Sequence, residues 1–123
     1  MEDRLSEFGE IFIKSVRDNT LFVIEGIING HMKSDIDKKM YKDIKELPLE
    51  SIELLRVFVY KAVDLSMHNM LFMFESNNDW VLFNENMDVD NIVELSDGFA
   101  GELYTSEGWI SRFSDYSPSR GLE

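Results

Sequence analysis

Asp64, His68 and Glu75 are the residues whose types and spacing come nearest to chemistry in this chain. Placed on a helix, they fall on one stripe, with Asn69 beside them. A carboxylate that orients an imidazole is what a general base or a metal-bound histidine requires. The set has no further member, and a surface i, i+4 pair describes Asp64 and His68 more simply. The chain is therefore read as having no catalytic residue and no metal ligand set. A small enzyme or metal-dependent module using Asp64, His68 and Glu75 is the alternative. The other histidine, His31, directly follows a helix stop and suits a C-terminal cap.

Other motifs fail on spacing. Asp88, Asp90 and Glu94 in MDVDNIVE resemble the start of a calcium loop, but Ile92 stands where an oxygen ligand belongs and Val93 where a glycine belongs. Gly98 and Gly101 fit neither phosphate-loop spacing, and Asp97 and Glu102 beside them repel phosphate. No serine lies in G-x-S-x-G. The absence of cysteine removes disulfides, thiol nucleophiles and thiolate metal sites. No cofactor is expected.

The elements that would position these residues follow from periodicity. From Leu5 to Gly30, Phe8, Phe12, Val16, Phe22, Val23 and Ile27 share a broad face, and Glu7, Glu10, Lys14, Arg17, Asp18 and Glu25 fall opposite. This predicts an amphipathic helix over 5–30 with Gly30 as its stop, interrupted at Asp18-Asn19-Thr20 if it is two helices. Gly9 and Gly26 fall on the apolar face, where a missing side chain allows close approach. Ser34 caps a second helix over 35–46 that Pro48 ends. The stretch over 50–76 is apolar nearly all round, with a polar stripe of Glu50, Glu53, Lys61, Asp64, His68 and Glu75. That predicts a long helix at the centre of the fold.

Beyond residue 76 the texture changes. WVLFN reads as a strand over 79–84. In LSDGFAGELYTSEGWISRFS, SDG marks a turn, and ELYT and WISRF read as a hairpin over 100–114, with Glu102 facing Arg112 and Tyr104 facing Ile110. The expected fold is α+β: three helices, the third long and central, packed on a small C-terminal antiparallel sheet. Residues 1–114 form a single globular domain, and 115–123 a flexible tail.

Charge carries the functional reading. The formal net charge is −12. Residues 1–61 hold ten Lys or Arg against twelve Asp or Glu, whereas residues 62–123 hold only Arg112 and Arg120 against twelve acids. A net −10 in the second half repels nucleic acid and steers a basic partner toward it. No stretch is apolar enough for a membrane span, and the acidic start lacks the form of a secretory signal, which together imply a cytoplasmic protein.

The texture of LSDGFAGELYTSEGWISRFS resembles the C-terminal end of small bacterial proteins of similar length. In size, acidity and lack of a catalytic set, the whole chain resembles immunity proteins of polymorphic or contact-dependent toxins. That resemblance implies a protein partner, such as a nuclease-type toxin. The expected function is a non-enzymatic, acidic protein-binding inhibitor that occludes a basic site, either an immunity protein or a phage-encoded inhibitor of a bacterial defence system. Its partner-binding residues would be Asp88, Asp90, Glu94, Asp97, Glu102 and Glu107 for charge, with Tyr104 and Trp80 as aromatic anchors.

Overall fold

The computed structural model describes residues 3–86 and 88–116, and in these the chain is helical. Helix α1 (Arg4–Phe12) starts at Asp3, whose carboxylate accepts from the Leu5 amide at 3.1 Å and the Ser6 hydroxyl at 2.6 Å. The Ser6 hydroxyl holds the Asp3 carboxyl below the usual carboxylate value. α1 runs on through a π-helical turn (Ile13–Asp18) into α2 (Asn19–Ile28), so Asp18-Asn19-Thr20 does not break the helix. The widened turn changes which side chains face inward. Ile13, Arg17 and Asp18 are all buried there, although the helical period places Arg17 and Asp18 on the solvent side.

Gly30 ends α2 with φ +80°, the left-handed conformation glycine adopts freely, and the His31 amide closes the turn onto the Gly26 carbonyl at 2.7 Å. Helix α3 (Asp35–Ile44) is capped by Ser34, whose hydroxyl accepts from the Asp37 amide at 3.1 Å. Helix α4 (Leu49–Ser76) follows Pro48 and spans 28 residues.

The α+β expectation is overturned. Among the described residues there is no strand and no sheet. Residues 81–84 are extended but unpaired along most of their length: the Leu82 amide donates to the Asn91 side chain at 3.3 Å, and its carbonyl accepts from the Ile92 amide at 2.7 Å. Residues Ile92–Leu95 and Ala100–Leu103 form 3₁₀ turns, and Trp109–Phe113 forms a short helix, α5. The turn expected at SEG does exist, with the Gly108 amide donating to the Thr105 carbonyl at 3.1 Å, but it leads into α5 and not a returning strand. Trp109 and Ile110 are both buried, and consecutive burial is incompatible with the alternation of a one-sided strand. The expected cross-strand pair does not form. Glu102 accepts from the Ser96 hydroxyl at 2.5 Å, and Arg112 donates to the Ser6 hydroxyl at 3.0 Å.

The core joins Phe12 and Ile13 to Met67 and Leu71 of α4 and to Ile92, Phe99, Ala100, Leu103, Trp109 and Ile110. The Trp109 ring stands edge-on to Phe8, Phe12 and Phe99. The segment expected to be a sheet thus does a sheet's work, closing the core with irregular turns. At the start of the stretch read as a tail, the Asp115 amide donates to Asp18 at 3.0 Å and the Tyr116 carbonyl accepts from Arg17 at 2.9 Å. Residues 117–123 lie outside the described residues. Among the described residues no helix is long and apolar enough to cross a membrane.

Candidate functional site: a long helix with its apolar side outward

α4 is polar along one narrow stripe, and a helix in water normally turns such a stripe outward. Here the stripe turns inward where Asp64 stands. Asp64 and Arg17 are fully buried and paired, with Nε 2.6 Å from Oδ1 and Nη2 3.3 Å from Oδ2. The π-helical turn brings Arg17 to this position. Its other terminal nitrogen donates to the Ser114 hydroxyl at 2.7 Å, and Ser114 donates in turn to Asp18 at 2.5 Å. The two charges are therefore desolvated together and share hydrogen bonds with the C-terminal segment, the condition under which a buried ion pair is tolerated.

The rest of the stripe is divided among separate structural tasks. Glu75 accepts from the Ala100 amide at 2.9 Å, capping the Ala100–Leu103 turn. His68 packs between Phe72 and Tyr104, with ring centroids 6.3 and 5.7 Å away, and its Nδ1 is buried with no hydrogen-bond partner. Burial pushes the Tyr104 hydroxyl pKa up, with the Asp64 carboxylate adding to the effect. Asp64 thus binds a guanidinium and does not orient His68. No group of three or more His, Asp or Glu side chains suited to hold a metal ion occurs among the described residues.

Toward the first half of α4, Glu25 of α2 gathers a second polar cluster. It accepts from Arg56 Nε at 2.8 Å and from the Tyr60 hydroxyl at 2.8 Å, while Arg56 also donates to Glu53 at 3.0 Å. Burial and then the hydrogen bond to Glu25 push the Tyr60 pKa far above its ordinary value. The Glu25 side chain is the main cause holding the Arg56 guanidinium charged more firmly than usual. These polar bonds fasten α2 to α4.

The consequence is an apolar surface facing solvent. Of the 28 residues of α4, only Asp64, Met67 and Leu71 are buried, while Leu54, Phe58, Leu65, Met70, Phe72 and Met73 are exposed. Between this face and the α1–α2 helix runs a groove of about 410 Å³, lined by Val16 and Thr20 on one side and by residues from Phe58 to Met70 on the other. Its only polar side chains are the hydroxyls of Thr20 and Ser66. Such a groove offers apolar contact and no charge, so it suits an apolar helix face or a hydrophobic ligand.

The residues expected to bind a basic partner lie elsewhere. Asp88, Asp90, Glu94, Asp97 and Glu107 are exposed, on the loops and 3₁₀ turns that follow α4, and Trp80 is exposed at the start of that stretch. Glu102 and Tyr104 are half-buried, the first bonded to Ser96 and the second set against His68. The apolar surface of α4 was missed by the sequence reading because uniform apolarity signals burial. Its one sequence trace is the spacing of Leu54, Phe58, Leu65 and Phe72. Comparison with protein-family models, curated proteins and solved structures finds no match to this chain.

Proposed function

We propose that the protein acts by binding another protein, as an acidic inhibitor that occludes a basic site on its partner. An immunity protein neutralising a nuclease-type toxin is the leading instance, and a phage-encoded inhibitor of a defence system is a second instance of the same chemistry. The observation that carries this reading is the charge asymmetry. Asp88, Asp90, Glu94, Asp97 and Glu107 stand exposed within a C-terminal half of net −10. Carboxylates on a low-dielectric surface reinforce one another's field and raise the encounter rate with a cationic site. Trp80, exposed ahead of them, is the aromatic anchor of the proposed interface. Support also comes from Asp64 and Glu75 being engaged with Arg17 and Ala100, which leaves the Asp64/His68/Glu75 alternative without a free carboxylate pair.

The test is capture of a partner from the source cell, followed by association kinetics with that purified partner. The Asp88→Asn, Asp90→Asn, Glu94→Gln, Glu107→Gln variant should associate about tenfold more slowly at low salt and lose most of its salt dependence. Equal association rates for variant and wild type across salt concentrations would remove the electrostatic basis of the proposal.

A further inference from the structure

We infer that the outward apolar face of α4 seats a second copy of this chain, the two α4 helices packing antiparallel across a two-fold axis near residue 63. The inference rests on surface that the acidic-inhibitor reading leaves unused. Leu54, Phe58, Leu65 and Phe72 are separated by four, seven and seven residues, the repeat of a coiled-coil seam, and all four point outward. Lys61 and His68 occupy the remaining seam positions. The six residues lie at equal distances on either side of position 63. A two-fold axis there sets Leu54 opposite Phe72 of the second copy, Phe58 opposite His68, and Leu65 opposite Lys61. Lys61 has its four-carbon stem available to lie along Leu65 while its ammonium reaches water.

Area and charge favour this occupant. The four apolar seam side chains keep between 51% and 69% of their surface in solvent. At about 200 Å² for a large side chain, that amounts to roughly 500 Å². Standard interfaces bury about 800 Å² per partner, and the flanking groove with Val16 lies alongside to supply the remainder. The groove presents no charged side chain, so it does not select a partner of opposite sign. Of the exposed carboxylates, Glu50 stands on the first turn of α4, beyond the end of the seam, and those of the acidic C-terminal half sit in the loops after Ser76. An apolar helix of matching length is needed to cover α4, and this chain carries one in α4 itself. Two-fold dimers are also the commonest closed assembly.

Sedimentation of the full chain tests the pairing. The wild type should sediment as twice 14.4 kDa. Leu65→Glu should return it to a monomer, whereas Ile36→Glu, an exposed apolar residue off α4, should leave the dimer intact. Far-UV circular dichroism confirms that each variant folds, which is expected because both side chains are exposed. Orientation is read by distance measurement, because a chain without cysteine accepts single spin labels at Asn69→Cys or Ser76→Cys, both exposed and off the seam. Antiparallel pairing places the labels at 69 within about 25 Å and those at 76 roughly 40 Å apart. Three results overturn the inference: a wild type that stays monomeric at about 100 μM, a dimer indifferent to Leu65→Glu, or short separations at both labelled sites. A monomer whose α4 face is instead blocked by a different protein belongs with the first of these.

Discussion

Arg17 and Asp64 decide more about this molecule than any other two residues. Each is a full charge removed from water, so each is stable there only while the other stays. Breaking a buried pair by removing one member leaves an uncompensated charge and costs about 3–5 kcal/mol, whereas exchanging both members for apolar side chains of similar volume is often neutral or stabilising. Asp64→Asn should therefore lower stability by that amount, and Arg17→Met with Asp64→Leu should recover most of it. Urea unfolding midpoints at neutral pH measure both. If Asp64→Asn lies within about 0.5 kcal/mol of wild type, the carboxylate is not buried as described. The recovery will be incomplete to the extent that Arg17 also holds Ser114 and the Tyr116 carbonyl. None of this was legible residue by residue. Helical periodicity places Arg17 with Lys14 and Glu10 on the wet face, and only the wider turn at Ile13–Asp18 carries it inward.

At the scale of elements, helix existence was legible and the C-terminal architecture was not. Ser34, Pro48 and Gly30 mark the helix ends because capping and left-handed backbone are local chemistry. ELYT and WISRF fail as a hairpin because their conformation is set by what they cover: Leu103, Trp109 and Ile110 reach one core from a 3₁₀ turn and a short helix, and among the described residues no strand lies beside them. α4 misled in the opposite sense, since its apolar circumference implies a central helix when most of it faces solvent. Gly9 and Gly26 show how a close approach can be tested. A Cβ at Gly9 would collide with the Trp109 ring, and at Gly26 it would meet the flexible end of Met32. Glycine to alanine in a helix interior ordinarily gains about 1 kcal/mol. Gly26→Ala should keep part of that gain because Met32 can swing aside. Gly9→Ala should lose about 1–3 kcal/mol, because a buried indole between α1 and α5 has nowhere to move. Thermal melts of the two variants side by side check the difference in sign. A stabilised Gly9→Ala would mean that Trp109 does not pack against α1.

For the whole molecule, charge and polar fastening act together at high pH. The net −12 already opposes compaction, and the tie between α2 and α4 depends on a neutral Tyr60 donating to Glu25. Burial and that hydrogen bond raise the folded-state pKa of Tyr60, while in the unfolded chain it ionises near its ordinary 10.0. A group whose pKa is higher when folded contributes its stability fully below the unfolded value and loses it as pH climbs through the interval between the two. Tyr104, raised by its own burial, acts in the same direction. Stability should therefore be level through neutral pH and fall steeply above about pH 10. Tyr60→Phe should be less stable than wild type by about 1.5 kcal/mol at neutral pH, the lower end for one hydrogen bond to a charged acceptor at a part-exposed site. It should then lose less on going to high pH, so that the two curves converge. Lysine titration affects both proteins alike and cancels in the comparison. Denaturant unfolding of the pair from pH 7 to 11 reads the convergence directly. Parallel curves would place Tyr60 in an environment no different from that of the unfolded chain, and would cut the polar link that sets α2 against α4 and leaves the apolar side of the long helix facing outward.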